Sequence, residues 1–152
     1  MYLLAEQRID IERPVEVAFA YLTNMERFGE WFPQVIAIES SNELAHGEVG
    51  KEYLETVAVP LRGQRKIRLS VREALANKRF VTEGKFPPLL PRMEVEFAER
   101  TAGACSVTWR MYSRNRGALA RLTLLPLARS VLRKRAQLGA RRLKANLENQ
   151  PT

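Results

Sequence analysis

Near its start the chain alternates with period two. Between about residues 3 and 12, Ala5, Gln7, Ile9 and Ile11 share one side of an extended backbone and Glu6, Arg8, Asp10 and Glu12 the other, as a half-buried strand requires. The period then lengthens. Pro14 suits a first helical position, Glu16 the dipole-favoured first turn, and Val17, Phe19 or Ala20, Tyr21 and Leu22 form a helical apolar stripe. Asn24 can end this helix and cap a second short one through Trp31, which Pro33 stops. Period two returns in six further segments, about 35–40, 50–59, 64–74, 79–86, 92–99 and 104–114. His46-Gly47 with Gly50, Pro60 with Gly63, Asn77, Pro87-Pro88 and Ala102-Gly103 separate them at hairpin-like distances, so a consecutive antiparallel meander is the economical topology.

The last element is a long helix from about Leu119 or Pro126 to Leu147, preceded by a loop or short helix if Pro126 lies in its first turn and kinked there otherwise. Its inner stripe is Leu125, Ala128, Leu132, Ala136, Gly139, Leu143 and Leu147; its outer face carries Arg129, Arg133, Lys134, Gln137, Arg141 and Lys144. The small residues Ala136, Gly139 and Ala140 serve either close helix–sheet packing or the wall of a cavity.

Composition narrows the class. At 152 residues, 45% hydrophobic and 28% charged, the sequence fits one domain over residues 1–148 with a flexible tail at 149–152. The formal charge of +8 belongs to one segment, since 12 Lys or Arg and no Asp or Glu lie between Arg100 and Leu147. Cys105, the only cysteine, rules out an intrachain disulfide framework and reads as a small buried hydrophobe in a strand. The start lacks the pattern of a secretory signal, and no stretch approaches the roughly 18–20 apolar residues of a membrane span. A cytoplasmic protein, at most peripheral at the inner membrane surface, is expected.

Strand, two short helices, six-strand meander and long terminal helix resemble the START/polyketide-cyclase-like superfamily, the helix-grip fold. The resemblance covers nearly the whole chain and is carried by Ile11-Glu12-Arg13-Pro14-Val15-Glu16-Val17-Ala18-Phe19, by Phe28-Gly29-Glu30-Trp31-Phe32-Pro33, and by the pattern from Pro126-Leu127-Ala128-Arg129 to Arg142-Leu143-Lys144. It implies an α+β fold in which a seven-stranded curved antiparallel sheet grips the C-terminal helix, packed across its concave face, over a hydrophobic cavity. The superfamily spans lipid carriers, quinone-binding proteins, aromatase/cyclases and ribosome-associated toxins, so the resemblance is strong for fold and weak for activity.

Under that fold, the inward strand positions make Gln7, Trp31, Tyr53, Glu55, Val57, Ile67, Leu69, Phe80, Thr82, Met93, Val95, Trp109, Met111, Leu132, Ala136 and Gly139 the candidate cavity residues. Polar groups among them are few. A buried Glu55 would have its pKa raised by desolvation and could act as an acid, with Tyr53 or Gln7 as hydrogen-bond partner. The blander reading turns Leu54, Thr56 and Ala58 inward and leaves Glu55 solvated, because an ionisable group is seldom buried without a clear partner. His46 reads as a turn histidine. With no second His or Cys near it, and no phosphate loop or nucleophile elbow, no metal or other cofactor is called for.

In an antiparallel meander alternate connections share an end of the sheet. Residues 59–63, 86–92 and 114–126 therefore come together, offering Leu61, Arg62, Leu89, Leu90, Arg92, Arg116, Arg121 and Leu125 as an entrance or membrane-facing rim. The alternative is that Leu89, Leu90, Leu122 and Leu125 fold back as a lid while the arginines face water, and self-association as a homodimer through the same patch is a third reading. The expected function is binding, transport or delivery of a lipid, quinone or polyketide-like compound, with docking to an anionic membrane. A cyclase or dehydratase using Glu55 and Tyr53 is the enzymatic alternative. RNA or ribosome contact through the basic helix is a further one, opposed by the lack of exposed aromatics for base stacking.

Overall fold

The computed structural model describes residues 1–59 and 61–150. Pro60, assigned to the turn before Gly63, lies outside them, as do Pro151 and Thr152 of the anticipated tail. Strand β1 (Tyr2–Ile11) leads into helix α1 (Val15–Thr23) and a 3-10 helix (Met25–Glu30). Strands β2 (Val35–Ser40), β3 (Glu52–Val59), β4 (Gly63–Leu75), β5 (Arg79–Lys85), β6 (Pro91–Thr101) and β7 (Ala104–Ser113) follow. Helices α2 (Ala118–Leu122) and α3 (Leu124–Glu148) complete the chain. The seven strands form one antiparallel sheet in the order β1-β7-β6-β5-β4-β3-β2, the expected meander closed by β1 against β7. With the long helix it is the α+β helix-grip fold.

Local chemistry accounts for the punctuation. Asn24 joins the two helical segments, its side-chain oxygen accepting from the Glu26 amide at 3.1 Å. Pro126 falls in the first turn of α3, where its missing N–H costs no hydrogen bond, and α2 is the separate short helix before it. Register shifts at Leu3/Ala5, Val35/Ala37, Val71/Glu73 and Glu99/Thr101 break strict alternation, and the first lets Leu4 and Ala5 be buried in succession.

The inner face of the sheet, with Ile67, Leu69, Val71, Phe80, Met93, Val95, Phe97, Val107 and Trp109, meets Ala136, Leu143 and Leu147 of α3 in one core. Phe28, Trp31 and Phe32 enter as a wedge from the 3-10 helix. Phe28 and Phe32 are stacked at 5.0 Å between ring centres, and Phe32 lies 5.5 Å from Trp109. A Cβ on Gly139 would come within 3.3 Å of Phe32 and 3.4 Å of the Trp31 carbonyl oxygen, so this glycine serves close packing of helix against wedge and lines no open space.

The outer face is ionic. Arg72, Arg79, Arg92, Arg110 and Arg114 interleave with Glu6, Glu73, Glu83, Glu94 and Glu96 in one connected network across β1, β4, β5, β6 and β7. Beneath it Val81 and Glu94 are buried.

Candidate ligand-binding site

Three elements pass from packed to open along the same direction. On the inward face of β3, Tyr53 is sealed, Glu55 is 8% exposed, Val57 is half-buried and Val59 reaches a groove. On β5, Phe80, Thr82 and Gly84 are buried and Phe86, just beyond the strand, reaches the same groove. On α3, Ala136 is packed, Leu132 half-buried, and Ala128 and Leu124 line it. The groove holds about 670 Å³ and is walled by Val59, Phe86, Pro87, Pro88, Leu89, Leu124 and Ala128, with Arg62, Arg65, Lys66 and Lys85 around it. Its volume is in the range of small-molecule sites, and its walls are apolar with charge of one sign.

Gly84 belongs to this design. A Cβ there would stand 2.9 Å from the Pro91 ring and 3.3 Å from both Ile67 and Leu69, so a larger residue would displace the inner wall.

Glu55 is buried on the same face of β3 as Val59, four residues earlier, and does not itself line the groove. Its burial reverses the blander expectation for β3: both faces of this strand carry apolar residues, so alternation alone did not select one, and the register on β4 sets Tyr53 against Leu69 and Glu55 against Ile67. Burial pushes the Glu55 pKa up to about 7. Tyr53 does not share its proton. The Tyr53 hydroxyl forms a 2.5 Å hydrogen bond with His46 Nδ1, and His46 Nε2 stands 3.2 Å from Glu26. Desolvation, with the nearby Glu26 charge, pushes the Tyr53 phenol up to about 12. Gln7, the other suggested partner, lies between β1 and α3 beside Gln137, without a bond to Glu55.

The Glu26–His46–Tyr53 chain does not follow from the hydrophobic pattern. Its signal was available: a buried tyrosine hydroxyl needs a partner, and a turn histidine lies seven residues before it. Another buried polar atom, Trp109 Nε1, has no hydrogen-bond partner among the described residues and is surrounded by the aromatic wedge.

Most of the remaining cavity candidates are core. Trp31, Ile67, Leu69, Phe80, Thr82, Met93, Val95, Trp109 and Ala136 are at most 6% exposed, and none lines the groove. Val57, Met111 and Leu132 are half-buried and pack against that core. Period gives the inward face but not whether that face meets atoms or space, and here Phe28, Trp31 and Phe32 pack into the concavity against Trp109. The true wall includes Arg65, Lys66 and Lys85, which a binary pattern assigns to solvent.

The rim also needs correction. Leu125 is wholly buried, and Arg92 is bound on the outer face by Glu73, Glu83 and Glu94. Leu89 and Leu90 are half-buried in a fastened loop: Leu90 N–H donates to Phe86 O at 2.8 Å, Arg114 N–H to Leu90 O at 2.9 Å, and Asn115 Nδ2 to Pro88 O at 2.7 Å. Arg62 lines the groove, while Leu61, Arg116 and Arg121 are exposed.

The chain belongs to the polyketide cyclase/dehydrase and lipid transport family, whose profile it matches over residues 3–148. Solved structures share the fold. A START superfamily protein from Mycobacterium smegmatis superposes with a TM-score of 0.72 at 9% identity, over 96% of this chain and 97% of that one. The protein TTHA0849 from Thermus thermophilus gives 0.71 at 9% identity, over 94% and 95%. The di-domain ARO/CYC StfQ from the steffimycin biosynthetic pathway gives 0.70 at 16% identity, over 95% of this chain and 50% of that chain. This chain thus spans half the length of the di-domain ARO/CYC proteins it matches. No curated protein sequence matches it significantly. Among the described residues, no helix is long and apolar enough to cross a membrane.

Proposed function

We propose that the protein binds and delivers a hydrophobic small molecule that carries a polar end, a lipid, quinone or polyketide-like compound, in the groove between β3, the β5–β6 loop and the start of α3. The observation that carries this reading is the graded opening of three elements onto one apolar groove with four cations in its wall, Glu55 lying buried on the same face of β3 four residues before the groove-lining Val59. An apolar body gains by leaving water along Val59, Phe86, Leu89 and Leu124. An acidic head group would be held at Arg62, Arg65, Lys66 or Lys85. When protonated, Glu55 can donate a hydrogen bond to a ligand carbonyl or hydroxyl; when ionised it can only accept.

Titration of the full chain with a fatty acid, a quinone and an aromatic polyketide, followed by tryptophan fluorescence and calorimetry, tests this. Saturable one-to-one binding of one class, weakened several-fold by Val59→Arg or Ala128→Arg, is expected. No binding of any class would overturn the reading.

Glu55 also supports a second reading, a cyclase or dehydratase. A carboxyl held near neutrality by burial is suited to general-acid work. Loss of turnover with retained binding in Glu55→Gln would favour it. The Tyr53 hydroxyl is engaged by His46 and forms no hydrogen bond with Glu55.

A further inference from the structure

The leucines that leave the fold are not those facing the groove. Leu61 at the β3–β4 hairpin is 107% exposed, Leu119 77%, Leu122 81% and Leu127 67%, whereas Leu125 between them is 0% exposed. Leu127 and Val131 stand four residues apart on one helix face, and Val131 is itself 41% exposed. Single exposed leucines are ordinary on soluble proteins, but here three fall within nine residues on two successive helices and are continued by Val131 a turn later.

The charges around them are of one sign. Arg62, Arg65, Lys66 and Lys85 line the groove between hairpin and helix, and Arg116 and Arg121 flank α2; none of the six is in an ion pair among the described residues. Among the described residues no acidic residue lines the groove, and none occurs in the sequence between Arg100 and Leu147. Because Arg62 and Leu124 line the same groove, the hairpin and the start of α3 flank one mouth.

We infer that Leu61, Leu119, Leu122, Leu127 and Val131 form a docking face for an anionic lipid bilayer, and that docking sets the groove mouth against the head groups. The inference rests on the groove reading above and names where its ligand is exchanged. Leucines enter the boundary between head groups and acyl chains while the cations meet lipid phosphate and carboxylate, the arrangement of a monotopic interfacial helix. The face differs from the one expected from sequence: Leu89 and Leu90 are tied into their loop, and Leu125 is core.

The test is sedimentation of the full chain with vesicles of phosphatidylcholine containing about one-third phosphatidylserine, beside pure phosphatidylcholine vesicles. The wild type should bind the anionic vesicles, bind the neutral ones at least tenfold more weakly, and be released by high salt. Leu122→Ser with Leu127→Ser should cut anionic-vesicle binding about tenfold or more, while Leu44→Ser with Val49→Ser, exposed apolar residues of the β2–β3 loop, should leave it unchanged. Equal sedimentation of the Leu122/Leu127 variant and the wild type would overturn the inference. So would salt-sensitive RNA binding without vesicle binding, which would assign the cations to nucleic acid. A fluorescent fatty acid titrated without vesicles separates the two readings. Uptake with no vesicle binding removes docking alone; vesicle binding with no uptake removes the groove ligand alone.

Discussion

The outer face of the sheet and the groove with the strand that leads to it treat charge in opposite ways. On the outer face five arginines and five glutamates neutralise one another, and the side chains of Arg92 and Glu83 are each only 16% exposed. On the inner face Glu55 is buried with no cation beside it among the described residues, and at the open end of the sheet Arg62, Arg65, Lys66 and Lys85 line the groove with no carboxylate among the described residues of its wall. A paired charge is used up within the fold. An unpaired one keeps its field and its hydrogen-bonding capacity for something outside the chain, and this protein keeps four such cations in the wall of one apolar groove.

The largest effect should come from breaking the paired side. Arg92→Ala leaves Glu83 and Glu94 partly buried without their cation and should cost about 2–3 kcal/mol, a drop of roughly 5–10 °C in Tm. Thermal melts check this, and a change under about 0.5 kcal/mol would show that the network does not act as a unit.

Glu55→Gln should move stability the other way, and only at higher pH. The folded-state pKa of about 7 lies above the ordinary glutamate value of 4.5, so the folded protein binds the extra proton between those limits and loses stability as pH rises through them. The variant should be more stable than the wild type by about 2–3 kcal/mol at pH 8, with most of the gain gone at pH 5. A gain independent of pH would mean that Glu55 titrates normally.

Removing unpaired rim cations should leave the fold alone and change the ligand. Arg62→Gln with Arg65→Gln should alter stability by less than about 0.5 kcal/mol, while weakening an anionic amphiphile several-fold and sparing a neutral one. Loss of both ligands equally would assign these side chains to packing. The smallest effect is expected on the solvent face of α3, where Lys134→Ala should change stability and ligand affinity within error.

The strands and helices were legible because their periods differ and because Asn24, Pro33, Gly63 and Pro126 punctuate them with definite geometry. The Leu4 bulge was not, since an inserted residue leaves no mark in the pattern. Glu94 and Glu96 could be placed outward, but their partners Arg79 on β5 and Arg110 on β7 depend on register between strands. The site was legible in kind more than in place. Glu55 stood on the short list, yet β3 offers apolar residues on both faces and the choice depended on its pairing with β4. The groove itself depends on where the Phe28, Trp31 and Phe32 wedge stops filling the concavity, a property of volume rather than of sequence period.

The central claim is that the groove holds a hydrophobic molecule, and native mass spectrometry of the full chain purified from its own host, with solvent extraction of whatever it carries, tests it most directly. The account predicts a discrete mass adduct that extracts as a lipid, quinone or polyketide-like compound and is depleted in the Val59→Arg variant. An adduct-free protein that also takes up none of these compounds when they are supplied would contradict it.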